Sequence, residues 1–182
     1  MICFELQDNE KFQIVWQRDF YKPFFASFQI VEHEIDKFLV IGNCDGYLYQ
    51  IDCQTGEIVW KFATVDQKPI FTTVSIIKET NKSSIVFGCH DGFVRRIDWL
   101  GQKLVWQVDL QKPVYSSCFV CDPIVYAVTI EGLIVVLNLV DGKILFEFDL
   151  QTPTFSSPVI FANCMVVGTR DNHLYKIKFE SD

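Results

Sequence analysis

An all-β chain built from a recurring four-stranded antiparallel unit is what this sequence predicts, and three sets of markers carry the prediction. Asp45-Gly46, Asp91-Gly92, Glu131-Gly132 and Asp171-Asn172 recur at intervals of 46, 40 and 40 residues. Pro23, Pro69, Pro113 and Pro153 recur at 46, 44 and 40, and Trp16, Trp60, Trp106 and Phe146 at 44, 46 and 40. Markers of three kinds that keep step through the chain mean an internal repeat, four times over.

Each repeat reads as strands joined by turns. After the proline comes a run with small hydroxyl residues, PVYSSC at 113–118 and PTFSSP at 153–158, read as strand A. Its pairs Ala26-Ser27, Thr72-Thr73, Ser116-Ser117 and Ser156-Ser157 suit an innermost strand, where units crowd an axis. Strand B follows as FLVIG at 38–42, SIVFG at 84–88 and MVVGT at 165–169. The Asp-Gly pair then predicts a two-residue type I′ hairpin, with positive φ at both central positions. Strand C is YLYQID at 47–52, FVRRID at 93–98, LIVVLN at 133–138 and HLYKIK at 173–178, rich in β-branched and aromatic residues. Strand D is EIVWKF at 57–62, KLVWQV at 103–108 and KILFEF at 143–148.

Between strands C and D, Asp52 precedes Gly56, Asp98 precedes Gly101 and Asn138 precedes Gly142. An Asp or Asn here bonds the N–H groups of the turn while the glycine takes the left-handed conformation. The glycine shifts by one residue in the second copy, yet Asp52 to Trp60, Asp98 to Trp106 and Asn138 to Phe146 are each eight apart. Recurrence in every unit assigns these acids to turns and not to catalysis.

Four-stranded units of about 40 residues are the blades of a β-propeller. The expected boundaries are a single repeat domain over 1–182, with an outer strand at 12–17 and blades at 23–62, 69–108, 113–148 and 153–179. The last blade lacks an outer strand of its own, and FQIVWQ at 12–17 reads as a strand D with none before it. Trp60, Trp106 and Phe146 are expected to pack between neighbouring blades. Two closures follow: four blades close when strand 12–17 completes the last one, or an open half-ring pairs head to tail or aggregates.

Composition bounds the function. The chain holds 182 residues with 16 Lys+Arg against 23 Asp+Glu, a formal −7, which opposes binding to nucleic acid or an anionic membrane. The nearly uncharged stretch 113–130 carries Asp122-Pro123 in its middle, so it reads as two strands and a turn rather than a membrane span. MICFELQDNEKF has neither the basic region nor the apolar run of a secretory signal. Seven cysteines, an odd number without a framework, predict a reducing compartment, the cytoplasm.

Candidate chemistry is sparse. Cys118 and Cys121 have zinc or redox spacing, but no second ligand pair stands nearby, so core filling is the expectation. Cys89-His90-Asp91 places a nucleophile beside a base, yet strand alternation points neighbours to opposite faces. The same alternation sends Arg95 and Arg96 to opposite faces of strand C. His33 and His173 have no partner in sequence. No phosphate-cradling glycine loop is present, so adenylation chemistry is not expected in these residues.

The pattern DG-x-L-Y-x-I-D-x-x-T-G-x-x-x-W at Asp45–Trp60 resembles the quinoprotein (PQQ-type) repeat, and the resemblance runs from Phe12 to Phe179. WD-type blades are of similar length, but no Trp-Asp pair closes strand C here. The resemblance implies rings of seven or eight blades, of which these repeats would be half. In the dehydrogenases of that family it also implies pyrroloquinoline quinone with Ca²⁺, stacked between a tryptophan and a disulfide of adjacent cysteines. This chain has no adjacent cysteines, so no catalytic, cofactor or metal residue is assigned. The acidic, cysteine-containing composition further resembles the C-terminal repeat domain of the eukaryotic β-alanine-activating enzymes, which are acyl-CoA-synthetase-like. The expected function is therefore a non-catalytic interaction or regulatory module, with a protein or other domains of a parent enzyme as partner. A fragment of a quinoprotein dehydrogenase is the alternative.

Overall fold

The computed structural model describes residues 1–6, 11–79 and 82–179. Among them, 17 strands lie in five antiparallel sheets with no α-helix. A hairpin of β1 (Ile2–Leu6) and β2 (Phe12–Gln17) comes first. Blade 1 follows as β3 (Gln29–His33), β4 (Asp36–Gly42), β5 (Tyr47–Asp52) and β6 (Ile58–Ala63). Blade 2 is β7 (Ser75–Glu79), β8 (Lys82–Gly88), β9 (Phe93–Asp98) and β10 (Lys103–Asp109). Blade 3 is β11 (Phe119–Cys121), β12 (Ile124–Val128), β13 (Leu133–Asn138) and β14 (Ile144–Asp149). The last sheet holds β15 (Val159–Phe161), β16 (Cys164–Gly168) and β17 (Leu174–Lys178). Each blade is an up-and-down meander, and the innermost strands β3, β7, β11 and β15 adjoin one another in turn around an axis. The fold is a β-propeller.

Burial explains why the repeat is needed. In β5, β9 and β13 the four central residues are all buried, so strand C is covered on both faces. One apolar cluster joins blade 1 to blade 2 through Val31, Leu48, Ile70, Phe87 and Trp99. A second joins blades 2 and 3 through Val94, Trp106, Val114 and Leu137, and a third joins blade 3 to the last sheet through Ile134, Met165 and Val167. The core is thus a series of layers between sheets.

Several sequence expectations change. The hydroxyl runs at 113–118 and 153–158 precede strand A instead of forming it, because their polar groups are spent on other bonds. Thr72 and Ser116 donate to the carbonyls of Gly88 and Val128 at 2.6 and 2.7 Å, and Thr154 does the same to Gly168. The Asp-Gly turns are not type I′, since only Gly46, Gly92, Gly132 and Asn172 have positive φ. The Gly46 N–H bonds back to the carbonyl of Asn43 and the Asn43 N–H to that of Tyr47, which makes the loop longer by two residues.

Strand 12–17 is also preceded by a strand, β1. Wherever strand C meets strand D, a bulge leaves out the residue before the aromatic: Val59, Val105 and Leu145. The same bulge falls at Val15 in the β1–β2 pair. This hairpin is therefore a C–D pair of the same repeat, seated on blade 1. Because β1 fills the strand-C place beside β2, β2 does not complete the last sheet, and the outer edge of β17 has no strand partner among the described residues.

The strand-D aromatics differ in burial for a local reason. Trp16 and Trp106 each lie on the glycine of the next blade's C–D turn and donate Nε1–H to a carbonyl there, Cys53 at 2.9 Å and Leu139 at 2.8 Å. A Cβ built on Gly56 or Gly142 would come within 2.5 or 2.9 Å of the indole. The turn facing Trp60 holds Gln102 at that place, so the ring is held off and stays half-buried. Phe146, expected to be a core anchor, is 52% exposed, with no turn of a next blade against it among the described residues.

A graded stability loss follows. Trp106→Ala costs about 3–5 kcal/mol, as large aromatic truncations in packed sites do, Trp60→Ala less, and Phe146→Ala under about 1 kcal/mol. Chemical denaturation of the three variants checks the order, and equal midpoints would contradict the packing.

Candidate functional site

The repeated acids are tied into turns. The Asp45, Asp91 and Asp171 carboxylates accept the N–H of the residue two further on, at 3.0, 3.1 and 3.3 Å. Their second oxygen accepts from a side chain four residues on: Tyr49, Arg95 and Tyr175. Glu131 has Val135 at that place and turns instead to Lys112, at 2.7 Å. In the C–D turns, Asp52 accepts from the N–H of Gln54 and Thr55, Asp98 from Gly101, and Asn138 from Val140. The left-handed residue is Gly56, Gln102 and Gly142, four past the acid in every copy, so Gly101 does not take the expected conformation.

Arg95 and Arg96 do point to opposite faces, and both are buried. The Arg95 guanidinium bonds Asp91 through two nitrogens at 3.0 and 2.6 Å and lies against Phe93 and Phe62 on the blade 1 side. Arg96 donates to Ser84 Oγ at 2.9 Å and to the Leu139 carbonyl at 3.0 Å, which places it in the blade 2–3 layer. That layer opens outward as a cleft of about 650 Å³ lined by Ser83, Arg96, Asp98, Lys103 and Val140. Burial pushes the Asp91 carboxyl up, but the hydrogen bond and charge of Arg95 outweigh it and hold the group below its ordinary value. The Thr55 N–H lowers Asp52, and the Thr169 hydroxyl lowers Asp171.

The Cys89-His90-Asp91 triplet does not assemble a nucleophile. Cys89 is fully buried against the carbonyls of Lys68 and Pro69, and burial pushes its thiol up to about 12. Asp91 is committed to Arg95. Cys118 is buried in the blade 2–3 layer while Cys121 is exposed, so the two thiols leave their strand on different faces. His33 packs edge-on against Trp99, and His173 Nδ1 lies 3.1 Å from Asp171.

The structure instead brings together residues that the sequence reading passed over. Two positions after each repeated proline stands an aromatic residue, Phe25, Phe71, Tyr115 and Phe155. Successive ring centroids lie 5.9, 4.9 and 5.6 Å apart, so the four form an arc on one rim of the axis. Beneath the arc, the N–H groups of Ser27, Thr73 and Ser117 donate to the hydroxyls of Thr73, Ser117 and Ser157, linking each blade to the next at 3.1, 2.9 and 2.9 Å. His90 leans on Phe71 and Tyr115, with centroids at 6.2 and 5.1 Å, and Arg170 lies over Phe155 at 5.2 Å. His90 Nδ1 is buried without a hydrogen-bond partner, and burial followed by the nearby Lys68 charge lowers the imidazole pKa.

Trp16 and Trp106 lie between blades, and among the described residues no three His, Cys, Asp or Glu side chains converge as metal ligands.

The tied acids set the response to pH. Asp52, Asp91 and Asp171 have folded pKa values below their unfolded ones, so each contributes stability that is full above about pH 4–5 and is lost as pH falls through the folded value. Asp91→Ala leaves Arg95 buried and unpaired and costs about 3–5 kcal/mol at neutral pH. Its stability also declines less steeply on acidification than that of the parent. Urea unfolding from pH 7 to 3 measures both; parallel curves would show that Asp91 is not held in its charged form.

Comparison with known proteins places the fold. Among solved structures, Sqt1 of Saccharomyces cerevisiae aligns over 97% of this chain and 52% of its own, with a TM-score of 0.78 and 11% identity. BamB from Moraxella catarrhalis aligns over 91% and 48%, at 0.71 and 16%. The computationally designed Ika4 protein aligns over 89% and 94%, at 0.70 and 18%. The chain thus spans about half the length of Sqt1 and BamB and nearly all of Ika4, and at these identities the likeness shows the fold alone. No curated protein sequence matched. A family model described as the β-propeller of the β-alanine-activating enzyme matches residues 2–179, and the chain belongs to that family.

Proposed function

We propose that this propeller is a non-catalytic interaction or regulatory module that serves an amino-acid-activating, acyl-CoA-synthetase-like enzyme. The family match over 2–179 carries the reading. The local chemistry supports it: the recurring acids are bound into turns, and the accessible groups of the axial rim are rings and cations suited to holding a partner. Adenylation of an amino acid needs a site that cradles nucleotide phosphates, and that site belongs to other domains of the parent enzyme. All seven cysteines are free thiols, which supports a reducing setting. The half-length alignment with two natural propellers supports a place in a larger ring.

β-Alanine-dependent ATP–pyrophosphate exchange tests the assignment. The protein that carries these repeats is expected to catalyse exchange, and the repeats alone are not. Exchange by the repeats alone would place catalysis in the propeller, and none by the carrier protein would detach the module from amino-acid activation. A second expectation separates the module from a quinoprotein dehydrogenase. Titration with pyrroloquinoline quinone and Ca²⁺ gives no saturable absorbance change; saturation together with dye-linked alcohol oxidation would restore that alternative.

A further inference from the structure

The arc of Phe25, Phe71, Tyr115 and Phe155 is partly open to solvent, with its end rings 71% and 47% exposed. Blade crowding does not require this, because the hydroxyl-to-N–H links beneath the rings already join the blades. A row of aromatic side chains at one repeat position, exposed at both ends and half-buried in the middle, is the kind of surface that marks a binding site. Its flanks are basic on a chain whose formal charge is −7. Lys22 acts electrostatically on Cys44 and Lys68 on His90, the residues just before two of the turn aspartates. Arg170 holds the same place in the last sheet. Lys112 is already paired with Glu131, but Lys22, Lys68 and Arg170 form no ion pair among the described residues. The Arg170 guanidinium carbon lies 5.2 Å from the centre of the exposed Phe155 ring.

We propose that this arc is a docking surface for an extended acidic peptide segment of a partner protein, with alternate apolar side chains laid on the rings and a carboxylate on Arg170. The proposal rests on the reading of the chain as an interaction module and names the surface and the chemistry of the partner. Shape favours a peptide. The rings touch in a continuous row, with centroids 4.9–5.9 Å apart, so a partner lies along them, and an extended chain sets alternate side chains on such a row. A carboxylate of the partner gives the Arg170 guanidinium a bidentate acceptor beside the rings.

Selection of a displayed random peptide library against the full chain tests the proposal, followed by fluorescence anisotropy of the enriched peptides on the parent protein and on Arg170→Glu and Phe155→Ala. Both side chains are largely exposed, and unchanged thermal unfolding verifies that the variants fold. Enriched sequences are expected to alternate apolar or proline residues and to carry Asp or Glu. Arg170→Glu is expected to weaken binding by about tenfold or more, as reversal of a bidentate partner does. Phe155→Tyr is expected to bind as the parent does. Peptides that bind equally well to Arg170→Glu and Phe155→Ala would overturn the docking surface while leaving an interaction module that works through another face. Enrichment without acidic residues, or none at all, would overturn the acidic-peptide assignment. So would displacement of the peptides by a single-stranded oligonucleotide that binds more tightly, which would make the rim a nucleic-acid surface. None of these three outcomes bears on the exchange assay, by which the enzyme-module reading stands or falls separately.

Discussion

No blade of this protein can bury both of its faces by itself, and the rest of the structure depends on that. Strand C is buried on both sides in β5, β9 and β13, so each sheet is stable only when a sheet lies on either side of it. A strand that was buried on one face would alternate apolar and polar residues. Here LIVVL runs unbroken at 133–137, which commits the chain to stacking by sequence alone. The inter-blade layers then place every other group. The axial hydroxyls meet the N–H groups of the next blade because the layers hold the innermost strands side by side. The buried charge pair of Asp91 and Arg95 lies beside the Phe62 ring of the previous blade, in a layer that excludes the water that would otherwise screen it.

Packing also explains why glycine and backbone conformation part company in the C–D turns. The left-handed residue is fixed four places past the acid, because the bulge before the aromatic sets the register of strand D. Glycine has a second use at that place, to let the indole of the previous blade lie flat on the turn. Gly56 and Gly142 serve both purposes. Gln102 serves only the first, and the loss appears one blade away as a half-buried Trp60. One substitution in a turn thus changes the packing of a neighbouring sheet.

The fold was legible because its evidence is local and repeated. Strands B, C and D can be read from apolar runs and turn residues, and three markers with matching intervals exclude coincidence. Less was legible where a residue acts across a blade boundary. The run YSSC looks like a strand until its hydroxyl and N–H groups are seen to bond other segments. Phe146 occupies the tryptophan position yet is 52% exposed, and no turn among the described residues lies on it. Strand β1 was missed because ICFEL has no Asp-Gly marker before it. Its bulge opposite Trp16 identifies it only once the pairing is known. The aromatic arc was present in the sequence at a fixed two residues past each proline, but aromatics at repeat positions read as core, and only the geometry shows that these four lie at the surface.

The same repeat shows where specificity can enter without cost to the fold. Just before each turn acid stand Cys44, His90, Ile130 and Arg170. The N–H of all four donates to the carbonyl of a repeated proline, at 3.2, 3.2, 2.8 and 2.8 Å. The backbone at this place is therefore fixed identically in every unit, while the side chain is different in each. A thiol, an imidazole, an aliphatic chain and a guanidinium are held at equivalent points around one rim, beside a constant aromatic ring. Where structure dictates a residue, the four copies agree; where they differ, the scaffold has left the choice open. Variation on a rigid, repeated frame is how a repeat domain acquires an asymmetric surface, and an asymmetric surface is what recognition of one partner in one orientation requires.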